Sequence, residues 1–326
     1  MQDVQPVQSS EFRLVPSLRK DRRVTDERER FLSALRSNGK LDYKRYLASP
    51  LRYAGGKSLA VGYIVERLPA KLKLLVSPFM GGGSVEVACS RELGIEVIGY
   101  DVFDILCNYW RVQLQCRNAL YQRLKEFRPT RKTFDTVKRR LSSHWKEGNR
   151  LNRFDLAAHY YFNSNTSYGP HFLGWPSDIY LNNGRYRAMI EKVQAFQAPG
   201  LSVHCDSFEN SIPRHSSDFL YCDPPYYLDE GKTFVGMYPH RNFPIHHKGF
   251  RHDLLRDLLL SHKGGFILSY NDCDIIRDWY SDCEIATPTW QYTFGQGDTR
   301  IGKNRERLNG GSHIKASHEL LIWRYP

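Results

Sequence analysis

Four apolar runs in this chain end on an acid, with helix-like segments in between. Ile95 to Tyr100 leads into Asp101, Leu201 to Cys205 into Asp206, Phe219 to Cys222 into Asp223, and Gly265 to Tyr270 into Asn271 and Asp272. Compact apolar runs without alternation suit strands buried on both faces. Strands that alternate with helices pair in parallel, because a parallel connection has to cross the sheet. The four acids then fall along one edge, outside the carboxyl ends of the strands, where such folds bind ligands. The pattern predicts an α/β chain with a doubly wound, mostly parallel, Rossmann-like sheet. Glu284 to Thr287 reads as a weak strand and His318 to Arg324 as the last one.

The first βαβ unit is the most informative. Leu72 to Phe79 reads as a core strand and runs into Met80-Gly81-Gly82-Gly83-Ser84, a glycine turn that opens a helix. Glycines there let a ligand approach the backbone. Asp101 follows Gly83 by 18 positions. An acid at the end of the second strand of such a unit accepts from ribose hydroxyls, so the unit points to an adenosine-type ligand. Upstream, Gly55-Gly56-Lys57-Ser58 looks like the end of a phosphate loop, but the spacing G-x-x-x-x-G-K-[ST] needs glycine at position 51, which is Leu51. A helix pattern follows from Ser58 to Arg67.

The third acid heads Asp223-Pro224-Pro225-Tyr226. Two prolines fix φ, remove two backbone donors and end the strand. The result is a rigid turn at an exposed strand edge, with a carboxylate, a free carbonyl and aromatic faces. Those groups suit a flat ligand that carries an amine. Taken alone, the same residues equally describe an ordinary turn with a solvated acid.

Between the two halves of the α/β pattern the composition shifts to Arg, Lys, Asn and Tyr. Residues 111–199 read as an inserted, mainly helical module, with helix patterns over Trp110–Phe127, Phe134–Trp145, Arg153–Phe162 and Tyr186–Phe196. Residues 47–110 and 200–326 form the α/β domain. A polar and aromatic loop from Phe162 to Pro170 includes Tyr168. Residues 1–46 are a charged extension with a short amphipathic helix pattern at Phe31, Leu32 and Leu35. The segment Phe294 to Gly311 reads as a mobile basic loop. A formal charge of +12 suits a polyanionic partner, and basic side chains interleaved with aromatics suit nucleic acid. A helical cap or lid is the competing use of the insertion.

Several classes are set aside. No apolar run of roughly 18 residues is present, so no membrane span is expected. Met1 to Ser10 is polar, so no secretory leader is expected. The seven cysteines form no C-x-x-C pair and read as reduced thiols of a cytosolic protein. The twelve histidines have no metal-binding spacing, and His246-His247 reads as a solvated pair.

Taken together, Arg52-Tyr53-Ala54-Gly55-Gly56-Lys57, Pro78-Phe79-Met80-Gly81-Gly82-Gly83-Ser84-Val85, Asp101 and Asp223-Pro224-Pro225-Tyr226 occur in an order that resembles the Dam-type (D12 class, α-group) DNA adenine-N6 methyltransferases. The resemblance covers about residues 50–110 and 200–326, and Glu319-Leu320-Leu321-Ile322 is similar to that family's last strand. It implies a class I S-adenosylmethionine-dependent fold and transfer of a methyl group to adenine in double-stranded DNA. It implies cofactor contacts by Tyr53, Gly55, Gly56, Lys57, Phe79, Gly81, Gly83, Asp101, Asp206, Phe208 and Asp223. Asp223, Pro224, Pro225 and Tyr226 are implied to hold the target base. DNA contacts are expected from Tyr168, Arg185 and Arg187, and from Arg300, Lys303, Arg305 and Arg307 in the late loop. No metal is implied. A cognate restriction endonuclease stands open as a partner, and the location implied is cytoplasmic, on DNA.

Two departures matter. Where the family often has Asn two places after the ribose acid, this chain has Phe103. Ser167-Tyr168-Gly169-Pro170 and Gly174-Trp175-Pro176 do not follow the hairpin pattern of the GATC-reading branch, so GATC specificity is not implied. Methylation of cytosine N4 or of RNA adenine, and a non-catalytic DNA-binding protein on the same fold, remain as alternatives.

Overall fold

The computed structural model describes residues 27–38, 42–227, 250–288 and 319–326. Its centre is a seven-stranded sheet in the order β3-β2-β1-β4-β5-β7-β6. The strands are β1 (Leu74–Ser77), β2 (Glu96–Asp101), β3 (Leu201–Cys205), β4 (Phe219–Cys222), β5 (Phe266–Asn271), β6 (Glu284–Ala286) and β7 (Glu319–Arg324). β1 to β5 pair in parallel, and β7 runs antiparallel to both β5 and β6. The doubly wound, mostly parallel sheet expected from the four acid-terminated runs is therefore present.

The chain leaves β1 toward β2 and β3, then returns to β4 on the other side of β1. The strand order thus reverses between β1 and β4, and a crevice opens outside their carboxyl ends. This one topological fact brings the glycine turn after β1 next to Asp223 after β4. Because β7 is antiparallel, its first residue, Glu319, pairs with Asn271 at the end of β5 and sits at the same edge.

Helices cover both faces. A helix over 27–35 (α1), α2 (Val61–Glu66), α3 (Ser84–Leu93), α4 (Asp104–Gln115), α5 (Arg117–Lys125), α6 (Arg131–Lys146), α7 (Arg153–Thr166) and α8 (Asn183–Ala195) accompany one large core. On the other face a smaller core forms with α9 (Phe208–Arg214), α10 (His252–Ser261) and α11 (Asp274–Trp279). The module helices begin where the sequence supplies caps. Thr130 accepts from Thr133 N, Asn152 from Phe154 N and Asp155 N, and Asn182 from Arg185 N.

Three expectations change. The helix expected over Trp110–Phe127 is two helices, parted at Cys116, whose backbone leaves the helical region (φ −137°, ψ 36°). The loop expected from Phe162 is helix as far as Thr166, and Asn163, Ser164, Asn165 and Thr166 are all buried. Three of the four side chains bond inward, while Ser164 Oγ and Asn163 Nδ2 are buried without a hydrogen-bond partner among the described residues. Asn165 Nδ2 donates to Tyr161 O (3.0 Å) and Thr166 Oγ1 to Phe162 O (2.6 Å), while Asn163 Oδ1 accepts from Leu173 N (2.8 Å). The boundary expected at 110/111 falls inside α4, which packs on β2 and β3 as well as on α7. The inserted helices share the large core with the sheet rather than standing apart from it.

Candidate functional site

The crevice at the β1/β4 edge is a cavity lined by Tyr53, Gly55, Gly56, Lys57, Phe79, Gly81, Gly83, Asp101, Phe208, Asp223 and Pro225, among others. The turn after β1 is held open by backbone geometry. Gly81 has φ 47° and Gly83 has φ 64°, both left-handed. A Cβ on Gly81 would stand 3.0 Å from the Tyr53 ring, and one on Gly83 would stand 2.7 Å from Met80 Cε.

Asp101 staples this turn to the loop after β2. Its Oδ2 accepts from Gly81 N (3.0 Å) and its Oδ1 from Phe103 N (2.9 Å). Trp110 on α4 adds a bond from Nε1 to Gly81 O (3.0 Å). Phe103, the departure after the ribose acid, is buried among Trp145, Tyr160 and Phe172, so its side chain serves the core. Phe79, Phe208 and Phe250 form an aromatic wall, with centroids 5.1–5.9 Å apart in tilted pairs.

At the other end of the cavity Lys57, 5% exposed, sets Nζ 2.5 Å from Asp223 Oδ1 and 3.3 Å from the Tyr226 hydroxyl. Tyr226 in turn donates to the Glu319 carboxylate. Burial pushes the Asp223 carboxyl up, and the Lys57 ammonium pulls it back down. The Asp223 side chain keeps only 20% of its exposure, so the strand edge expected to be exposed is largely enclosed. Lys57 and the start of α3, distant in sequence from the turn, share the cavity wall with Asp223 and are not visible from the turn alone.

A second carboxyl lies deeper. Glu86, in the first turn of α3, is fully enclosed and accepts from Ser77 Oγ (2.6 Å). Burial is the main cause that pushes it up to about 7; Ser77 opposes the shift and the neighbouring Asp223 charge adds to it.

Not every expected residue reaches this cavity. Asp206 is absent from its walls. Its carboxylate accepts from Ser207 N (2.8 Å), Asn210 Nδ2 (2.8 Å) and Arg214 (2.9 Å), which anchors the start of α9 and holds it below the usual carboxylate range. Pro224 and Tyr226 sit behind Asp223 and Pro225.

Arg185 lines a neighbouring groove with Arg45, Arg52 and Lys192, and that groove shares Tyr53, Gly55, Gly56, Lys57 and Ser84 with the cavity. Among the described residues no Asp or Glu lines it. Arg52 is built into its wall, donating to Asn165 O (2.7 Å) and Ser167 O (3.2 Å) and stacking 3.6 Å from the Tyr180 ring centroid. Arg187 lies outside the groove and pairs with Glu191 at 3.5 Å. Tyr168 is 59% exposed and lies away from the cavity, in the turn closed by the Ser167–Pro176 bridge. Arg300, Lys303, Arg305, Arg307 and His246-His247 lie outside the described residues.

Three residues were not singled out by sequence. Glu86 had a signal: a charge between Val85 and Val87 at the mouth of a buried helix is an anomaly. Glu319 had a weaker one, as the acid that opens an apolar last strand. Phe250 had none, because nothing local marks it as part of the aromatic wall. Among the described residues no group of three or more His, Cys, Asp or Glu is placed to hold a metal, and no helix is long and apolar enough to cross a membrane.

The sequence is similar to known proteins over most of its length. The type II methyltransferase M.FokI of Planomicrobium okeanokoites is 23% identical over 300 residues, covering 85% of this chain and 45% of that protein. The modification methylase StsI of Streptococcus sanguinis is 22% identical over 293 residues, covering 86% of this chain and 43% of that protein. The chain thus spans less than half the length of these curated relatives. Residues 53–294 match the model of one family, described as D12 class N6 adenine-specific DNA methyltransferase. That span starts at the tyrosine on one wall of the cavity and runs past the Asp223 turn on the other, and the chain belongs to this family.

Proposed function

We propose that the protein transfers a methyl group from S-adenosyl-L-methionine to the N6 amine of an adenine held out of double-stranded DNA. One observation carries the reading: the Asp223 carboxylate and the glycine turn stapled by Asp101 wall the same cavity. Direct transfer needs donor and acceptor at a shared wall, and orientation of that kind is worth on the order of 7–11 kcal/mol of barrier.

The residues present fit the cofactor. The left-handed glycine turn leaves open the space that a side chain would fill. Asp101 accepts backbone N–H groups from Gly81 and Phe103, which fixes its carboxylate at the cavity wall, where it is assigned to the ribose hydroxyls. Phe79, Phe208 and Phe250 line the cavity together and are assigned to the purine, and Phe208 takes over the place expected for Asp206. Tyr53, Gly55, Gly56 and Lys57 border the end assigned to the methionine part. S-adenosyl-L-methionine supplies, when bound, an electrophilic methyl group on a sulfonium.

The chain's own groups then prepare the acceptor. An adenine amine is a poor nucleophile because its lone pair is delocalised into the ring. Lys57 occupies Asp223 Oδ1, so Oδ2 is the oxygen assigned to one amine N–H; the backbone carbonyl of Pro224, next in the chain although Pro224 is not itself a lining residue, is assigned to the other. Two acceptors on that nitrogen favour a pyramidal amine with a localised lone pair. The methylated nitrogen sheds one proton, and the Asp223 carboxylate is the base assigned to receive it. Pro225 and Tyr226 keep the turn rigid. Flipping the base costs roughly a few kcal/mol of stacking, offset by contacts in the pocket.

Arg185, Arg45 and Lys192 in the acid-free groove are assigned to DNA phosphates. Arg300, Lys303, Arg305 and Arg307, outside the described residues, are assigned to DNA on the sequence alone, as are Tyr168 and Arg187. The relatives' names, a type II methyltransferase and a modification methylase, carry over to a modification role opposite a restriction endonuclease that reads the same sequence, in the cytoplasm on DNA. Incubation with duplex DNA and cofactor labelled on the methyl group, followed by nucleoside separation, tests the reading. Label in N6-methyl-2′-deoxyadenosine is expected. Label in N4-methylcytosine, label only in RNA, or none, with the cofactor still bound, overturns it.

A further inference from the structure

We infer that Glu319 is a positioning residue for the Asp223–Tyr226 turn, acting through the Tyr226 hydroxyl to aim Lys57 at Asp223. The inference rests on the proposed function for its kinetic consequence, but not for the interaction itself. Glu319 is the first residue of β7, and the antiparallel register with β5 brings it to the edge where β4 delivers Asp223. It is 2% exposed. A carboxylate so placed is costly unless it is hydrogen-bonded or paired.

The direction of each bond follows from donor and acceptor counts. Lys57 carries only donors, so its contact with Tyr226, at 3.3 Å, must run from Nζ to the phenol oxygen. A phenol has one proton, and here that proton goes to Glu319. The oxygen therefore turns its lone pairs to Lys57, and a second Lys57 donor reaches Asp223 Oδ1 at 2.5 Å. Without the Glu319 acceptor the phenol proton has to turn elsewhere. It then competes with Lys57 for the same space or takes an Asp223 lone pair, one of those that the amine needs.

A cycle of Glu319→Ala, Glu319→Gln, Tyr226→Phe and the double variants tests this. In methyl transfer, Glu319→Ala is expected to lower kcat by roughly 10–100-fold, the range for partners that orient catalytic groups, with a smaller change in the KM for DNA. Glu319→Gln keeps an acceptor oxygen and should recover part of the loss. Adding Glu319→Gln to Tyr226→Phe should slow the enzyme no further. Equal effects on kcat and KM, no recovery by Gln, or losses that multiply in the double variant would overturn the inference. Should Glu319→Ala fail to fold, the Gln and Phe variants complete the cycle. Urea unfolding of the same set without cofactor or DNA separates this inference from the functional reading. Non-additive stabilities with no methyl transfer by the wild type would sink the function and keep the Glu319–Tyr226 coupling. Additive stabilities would sink the coupling whatever the activity.

Discussion

Two polar, aromatic stretches of this chain look alike on paper: Asp223-Pro224-Pro225-Tyr226-Tyr227 and Asn163-Ser164-Asn165-Thr166-Ser167-Tyr168. Both follow apolar runs, and both suggest ligand contact. The first lines a cavity through Asp223 and Pro225. The second is internal scaffold as far as Ser167, bonded to its own helix, to the Arg52 backbone and to the turn at Leu173. The prolines make the difference. They stop β4 at the sheet edge, so its next groups face the crevice. Nothing stops α7, so its amides and hydroxyls continue at helical spacing and turn inward to backbone groups. Most of these uncharged groups find backbone partners, and leaving Asn163 Nδ2 and Ser164 Oγ without one costs far less than an unpaired charge would, since a charge needs a countercharge or a ligand.

The largest effect expected from this contrast is on chemistry. Asp223→Ala should lower methyl transfer by roughly 10²–10⁴-fold, the usual contribution of a positioned acid or base. The measurement is single-turnover transfer at saturating DNA and cofactor. Asn165→Ala, read in the same assay, should leave the rate near wild type. If Asn165→Ala were the slower of the two, the scaffold reading of α7 would be lost.

Stability against pH separates the two regions next. Glu86 is pushed up by burial to about 7 from an ordinary 4.5. The folded state therefore holds a proton that the unfolded state releases above about 4.5. Stability is full below that value and is lost as pH rises toward 7, by about 3 kcal/mol in all. Glu86→Gln should flatten this slope and make the protein more stable than wild type at pH 8, as read from urea midpoints. A wild-type midpoint that rises between pH 5 and 8 would refute the assignment. Asn165 has no such charge. Its substitution by Ala should cost about 1–3 kcal/mol through the lost bonds to Arg52 N and Tyr161 O, and that cost should not change over the same pH range.

How much could be read from sequence follows from the same physics. The sheet, the glycine turn, Asp101 and Asp223 were legible because each belongs to a local pattern of strand, turn and acid. The reversal between β1 and β4 that joins them was legible only as a consequence of two separated motifs. Asp206 ends a strand just as Asp101 does, but Arg214 and Asn210 one to two turns along α9 claim its oxygens. Strand-end position alone does not tell a cavity-lining acid from a helix anchor. Glu319 and Phe250 lie far along the chain from the groups they meet, so no spacing rule reaches them. The helical character of 163–166 was missed because Asn, Ser and Thr favour turns until tertiary partners outbid that preference.

The smallest effects expected lie on the DNA side, and they sharpen the contrast between two arginines of one helix. Arg185 faces the acid-free groove, whereas Arg187 lies outside it against Glu191. Each phosphate contact removed should reduce the slope of log affinity against log salt by about 1. Arg185→Ala and Lys192→Ala should each show this with duplex DNA in a fluorescence titration at several salt concentrations. Arg187→Ala should leave the slope nearer to wild type, because its loss also frees Glu191 and the net change in local charge is small. Cofactor affinity, measured in the absence of DNA, should be unchanged in all three. Equal slopes for Arg185→Ala and Arg187→Ala would mean that the groove is not the path of the phosphate backbone, even if the catalytic cavity is read correctly.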